Sequence, residues 1–261
     1  MSRLTVLLKK EWLEASRSYK LIWLPVAFMI LGILQPLSSY YLPDILRMAG
    51  GLPEGMELMI PELSGEEVLA SALSDQFDQL GMMILVISLM NMVVADKSSG
   101  MLTFMLTRST TLSEYLASKW IANMVLLAMS LAAGLFMAWV YTALLYNTVA
   151  LSALLLTFVL YLLWGALVLS FTLMLGALLT RTAGVAIIGI VVVVTLKIAT
   201  LAGGFWHTIN PASLSSHAVQ LLTTGTLPSA AGLTALSAAV LVLACIGVAH
   251  RHLSREELPS M

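Results

Sequence analysis
Charge is scarce in this chain. Only 10% of its 261 residues are Asp, Glu, Lys or Arg, whereas 59% are hydrophobic. Soluble domains carry about a quarter charged residues and rarely contain several apolar runs of about 20 residues, so a soluble globular protein is excluded. Cysteine is almost absent too. Cys245 stands alone in an apolar run, which excludes an intramolecular disulfide and a multi-cysteine metal site and leaves a small packing residue. The chain lacks G-x-x-x-x-G-K-[ST], so it has no loop to cradle nucleotide phosphates. It also lacks H-E-x-x-H and G-x-S-x-G. ATP hydrolysis, zinc-dependent hydrolysis and serine hydrolysis by this chain are therefore not expected. Sixteen methionines include Met82, Met83, Met90 and Met92 in one apolar run, and they read as packing filler rather than as a metal path. His250 and His252, as an H-x-H pair in a helix, point to different faces and make no metal site.

What is present is a set of six apolar runs: Leu21–Leu42, Phe77–Val94, Trp120–Tyr146, Leu151–Leu179, Ala183–Ala202 and Leu233–Ala249. A bilayer core about 30 Å thick needs about 20 helical residues. The runs are continuously apolar rather than alternating, which favours helices over strands. The expected fold is all-α: a single polytopic transmembrane domain over residues 1–261, with six spans and no nucleotide-binding domain. The first run is expected to be retained, because it has full spanning length and lacks a cleavage signal.

Orientation follows from the basic residues. Arg3, Lys9, Lys10, Arg17, Lys20, Lys97, Arg108, Lys119, Arg181, Arg251 and Arg255 fall on one side of a six-span topology. The positive-inside rule makes that side cytoplasmic and puts both termini there. The plasma membrane is the expected location. On the opposite side, Asp44, Glu54, Glu57, Glu62, Glu66, Glu67, Asp75 and Asp78 cluster in or beside the first outer connection, with Arg47 among them. No carboxylate is expected deep inside a span: Asp78 sits at the outer edge of the second, and Lys197 near the outer end of the fifth is expected to snorkel.

Before the first span, Leu4, Leu8, Trp12, Ala15 and Tyr19 recur at spacings of three and four, while Lys9, Lys10, Glu14, Arg17 and Ser18 lie elsewhere. That pattern predicts an amphipathic helix in the headgroup region, in contact with lipid. Residues 203–232 form a long outer connection with apolar content. Asn210-Pro211 marks a turn there, before a helix over 212–222 that could dip into the outer leaflet.

The most informative stretch runs from Ala95 to Lys119, a polar interruption far longer than a turn needs. Asp96 and Lys97 form a charged pair, Gly100 follows, Leu102, Phe104, Met105 and Leu106 make an apolar run, and Arg108, Tyr115, Leu116 and Lys119 come after. In this pattern the chain resembles the ABC-2 type permeases, the membrane subunits of bacterial ABC exporters. It departs from that family at Met101, Ser109, Leu112 and Ser118, where Thr, Pro, Arg and Gly are common. The six-span layout, the N-terminal helix and Asn210-Pro211 also fit the resemblance.

The resemblance implies a permease that binds no cofactor itself and is driven by two copies of a separate ATPase that holds ATP and magnesium. Gly100–Leu112 would be the coupling helix, with Gly100, Met101, Leu102, Phe104, Met105 and Arg108 against the ATPase. A second permease chain, identical or paralogous, would complete a path lined by spans two and five. Nucleic acid is not an expected partner. The alternative is an autonomous channel or secondary transporter, for which mid-membrane carboxylates are missing from the expected spans.

Overall fold
The computed structural model describes residues 3–48, 63–107 and 111–256, and among them every regular element is helical. Six helical stretches are long and apolar enough to cross a bilayer: Lys20–Leu46, Gly65–Ser98, Leu112–Leu145, Leu151–Leu178, Thr182–Thr200 and Ala231–Arg255. The all-α, six-span architecture is therefore the observed fold.

The chain begins with α1 (Arg3–Arg17) and turns into α2 (Lys20–Met48), the first span. The turn is sharp because Tyr19 adopts φ 57°, a left-handed conformation that breaks one helix from the next. Pro25, Pro36 and Pro43 all lie within α2; neighbouring helices make such prolines tolerable in a span.

The second span is composite. It comprises α3 (Gly65–Ser71), a π-helical segment (Ala72–Gly81), α4 (Met82–Leu89), a turn at residues 90–93 and α5 (Val94–Ser98). It starts twelve residues before the expected Phe77, because Ser64 and Glu67 form a reciprocal capping box that opens the helix there. Gly100, at φ 72°, then redirects the chain into the short α6 (Met101–Thr107), and the positive φ is what requires glycine.

The third span, α7 (Leu112–Leu145), is opened by a second capping box between Thr111 and Glu114. At about 1.5 Å per residue its 34 residues exceed the bilayer core, so its first turns project toward α1. Next come α8 (Leu151–Leu178) and α9 (Thr182–Thr200), the fourth and fifth spans. The outer segment holds α10 (Gly204–Ile209) and α11 (Ser213–Thr224), and α12 (Ala231–Glu256) is the sixth span.

Helices approach closely where side chains vanish. A methyl added at Gly32 would overlap the Gly134 carbonyl, and one at Gly134 would lie 2.7 Å from the Phe28 carbonyl oxygen. Small residues at such points let span backbones touch, and van der Waals packing replaces the hydrophobic drive that lipid removes. Phe28 and Phe77, both fully buried, meet edge to face at 5.8 Å beside this contact. The core then runs through α7 and α8, where Leu127, Leu131, Tyr161, Trp164 and Leu169 are buried.

Six crossings return the chain to the side on which it began. Hydrogen bonds confirm which connections share an end. Lys97 Nζ donates to the Ala177 carbonyl at 2.7 Å and Thr182 to Asn91 at 2.8 Å at the α1 end. Gly65 N–H donates to Asn147 at the other.

Candidate functional site
Two groups of buried charges interrupt this apolar bundle, one at each end. At the α1 end, Lys119 on α7 is only 1% exposed. Its ammonium lies 3.0 Å from Glu11 Oε1, 3.1 Å from Glu11 Oε2 and 2.8 Å from Asp96 Oδ2. Lys10 reaches the same two carboxylates, Glu11 at 3.0 Å and Asp96 at 3.4 Å, and Glu14 at 3.1 Å. The Tyr115 hydroxyl donates to Asp96 Oδ2 at 3.0 Å. Glu11 and Asp96 thus each bridge both ammonium groups. Burial alone would pull the Lys10 ammonium down, but Glu11, Asp96 and Glu14 outweigh it and hold it above the ordinary lysine value. The cluster joins α1, α5 and α7 into one unit. Replacing one partner would leave the others buried and uncompensated, which is why such networks fix geometry.

This geometry changes the view of α1. Its inward face is Leu7 and Glu11, which are buried; Leu4, Leu8 and Ala15 flank it, while Trp12 is 39% exposed and Arg17 and Tyr19 are exposed. A glutamate shares the packed face with Leu7, because Lys119 stands opposite it.

The other predicted site residues fall on α6 and its approach. Gly100 is the hinge, Leu102 is buried, Met105 packs against the core from a half-buried position, and Met101 and Phe104 are 39% and 53% exposed. Arg108 lies outside the described residues. The expected helix Gly100–Leu112 is shorter than anticipated: α6 covers Met101–Thr107, and Leu112 already belongs to α7.

At the opposite end the expectation for Lys197 is overturned. It does not snorkel away: its Nζ lies 2.6 Å from Asp78 Oδ2 and also donates to Ser215 Oγ. Asp78, 4% exposed, lies in the interior of a helical stretch that begins at Gly65 rather than in its first turn. A buried carboxylate in the membrane is stable only with a partner, and α9 supplies it. The π-helical segment presents Asp78 toward α9 while Tyr161 on α8 donates to the Leu73 carbonyl at 3.0 Å. Extra residues of this kind in a helix recur at functional places.

The outer segment closes over this pair. Asn210 donates from Nδ2 to the Leu196 carbonyl at 2.7 Å and accepts at Oδ1 from the Ala212 N–H at 3.0 Å, so Asn-Pro ties the loop to the end of α9 and starts α11. Along α11, Leu214, His217, Ala218 and Leu221 are buried. His217 Nε2 meets Thr234 Oγ1 at 3.1 Å, and Thr234 donates in turn to the Thr208 and Ala230 carbonyls. With its one proton on either carbonyl, the Thr234 hydroxyl accepts from His217 Nε2; with the proton on the imidazole side, it donates to it. Burial, and then the neighbouring His207, hold the His217 imidazole below its ordinary 6.5. Between the π-helical segment, α4, α9 and α11 lies a cleft of about 520 Å³. Among the described residues no group of three or more His, Cys, Asp or Glu could hold a metal.

Six apolar helices tied by buried ion pairs define a polytopic α-helical membrane protein. Over 229 residues, covering 86% of this chain and 87% of its relative, the sequence is 36% identical to YxlG, an uncharacterized transmembrane protein of Bacillus subtilis (strain 168). The chain belongs to the family of that transmembrane protein. No protein-family model matches it.

Proposed function
We propose that the chain is the membrane subunit of an ATP-driven exporter of the ABC-2 type, set in the plasma membrane with both termini in the cytoplasm. The observation that carries this is the joint at the α1 end. A short helix, α6, offers Met101 and Phe104 outward, and the flanking α5 and α7 are locked to each other and to α1 through Asp96, Lys119, Glu11 and Lys10. A force applied at α6 by a closing ATPase would be passed to two spans and the interfacial helix together. The basic residues concentrated at this end favour its cytoplasmic placement. Two ATPase copies supply nucleotide chemistry with their own ATP and magnesium, and two permease chains, identical or paralogous, enclose the path.

The test is purification of the tagged chain from native membranes with its partners. A stoichiometric ATPase is expected to co-elute, and Phe104→Ala is expected to lower its retention at least fivefold with an unchanged thermal midpoint. A chain that elutes alone after mild crosslinking would overturn the proposal.

The Asp78–Lys197 pair favours a second reading, an ion-coupled transporter working alone, since intramembrane charge pairs mark such paths. Substrate uptake into liposomes holding only this chain, without nucleotide, would select it.

A further inference from the structure
The cleft between the second span, α9 and α11 has a lining that specifies a kind of occupant. Three of its lining residues are charged: Asp75, Asp78 and Lys197. Asp78 and Lys197 neutralise each other at 2.6 Å, and Ser215 takes another of the lysine's donors. Asp75 is exposed, one turn before Asp78, and accepts only from the adjacent Ser74 hydroxyl at 3.2 Å. Among the described residues it has no ion-pair partner, so the cleft carries one uncompensated negative charge. Below this polar end the walls are Met83, Val193, Val194, Ile198 and Val219. Ile198 and Leu201 are 62% and 83% exposed, so the cleft is open sideways, toward the bilayer that surrounds α9.

From this geometry we infer that the cleft is a binding site for a monovalent cationic amphiphile, with its charge at Asp75 and its apolar body against α4 and α9. An anion would meet Asp75 directly and find Lys197 already engaged. Glu66 and Glu67 stand in the first turn of α3, which leads into the π-helical segment, and add negative charge at this end, where clefts edged by one sign of charge concentrate counter-ions. An apolar wall with a few placed polar groups is the usual make-up of a small-molecule site. The inference does not rest on ATP coupling, since binding precedes any drive.

Tetraphenylphosphonium and tetraphenylborate share size and shape and differ in the sign of charge. Titrating each against the full chain in nanodiscs, with empty nanodiscs as blank, isolates the charge of the cleft from simple partition into lipid. Saturable binding of the cation alone is expected, weakened about fivefold or more by Asp75→Asn and abolished by Val194→Trp, which fills the cleft. Equal saturable binding of the anion, a cation signal no greater than that of empty nanodiscs, or an Asp75→Asn variant with unaltered Kd would overturn the assignment. No ATPase enters the measurement, so failure here leaves the exporter proposal standing, and a missing ATPase leaves this site standing.

Discussion

The two ends of the bundle both bury a lysine against carboxylate, yet they are built differently. At the α1 end, two ammonium groups and two shared carboxylates from three elements, with Tyr115, form a closed set beside a cavity of only about 30 Å³. At the other end, one pair lines a cleft more than ten times larger, and Lys197 keeps 24% of its side chain exposed. A closed network resists motion and transmits it, because moving one member uncovers the charge of another. An open pair can exchange partners with whatever enters beside it. The difference suits the first to the mechanical joint and the second to the ligand-binding surface that are proposed for them.

The largest expected effect comes from breaking the joint. Lys119→Met leaves the buried Glu11 and Asp96 with only the more exposed Lys10 as shared counter-charge and should cost about 3 kcal/mol, read as a fall in the thermal midpoint in detergent and as faster proteolysis after α1. Lys197→Met should cost less, about 2 kcal/mol, since a single carboxylate is uncovered and the lysine is partly exposed to the cleft. Equal costs would erase the distinction drawn between the two ends.

The smallest effect concerns the lid of the outer end. His217 titrates in the unfolded chain near 6.5 but lower in the folded protein, where burial and His207 disfavour its charge. The stability it contributes is therefore complete above about pH 6.5 and declines as pH falls toward the folded value. Thermal midpoints measured from about pH 7.5 to about pH 5.5 should drop by a few degrees, and His217→Gln should flatten that dependence. An identical slope in the variant would assign the effect to other groups.

Much of the framework was legible in the chain. Continuous apolar runs predict six spans, since only a helix satisfies its own backbone in lipid. Two helix starts were also written in the sequence, as Ser64-x-x-Glu67 and Thr111-x-x-Glu114, and both lie outside the boundaries that hydropathy alone predicts. The capping-box pattern was the available signal. Missing Ser64 put the start of the second helix too late, so Asp78 stood in its first turn rather than in its interior. The site residues were partly legible: Asp96 and Lys119 stand out as charges in the polar stretch and Gly100 as its glycine, whose positive φ only the structure shows. Glu11 did not, because helical periodicity ranks leucines as the packed face and cannot show that a lysine 108 residues away waits opposite.

Composition and pattern by themselves determined that this protein crosses a membrane six times, which ends carry its positive charge, and that it lacks a phosphate-binding loop. These are local properties: each run meets lipid or water on its own terms. Tertiary structure alone decided which charges pair, Lys119 with Glu11 and Asp96, Lys197 with Asp78, and that a cleft opens beside one pair and not the other. An ion pair depends on distances of about 3 Å between residues on different helices, and only packing sets those distances.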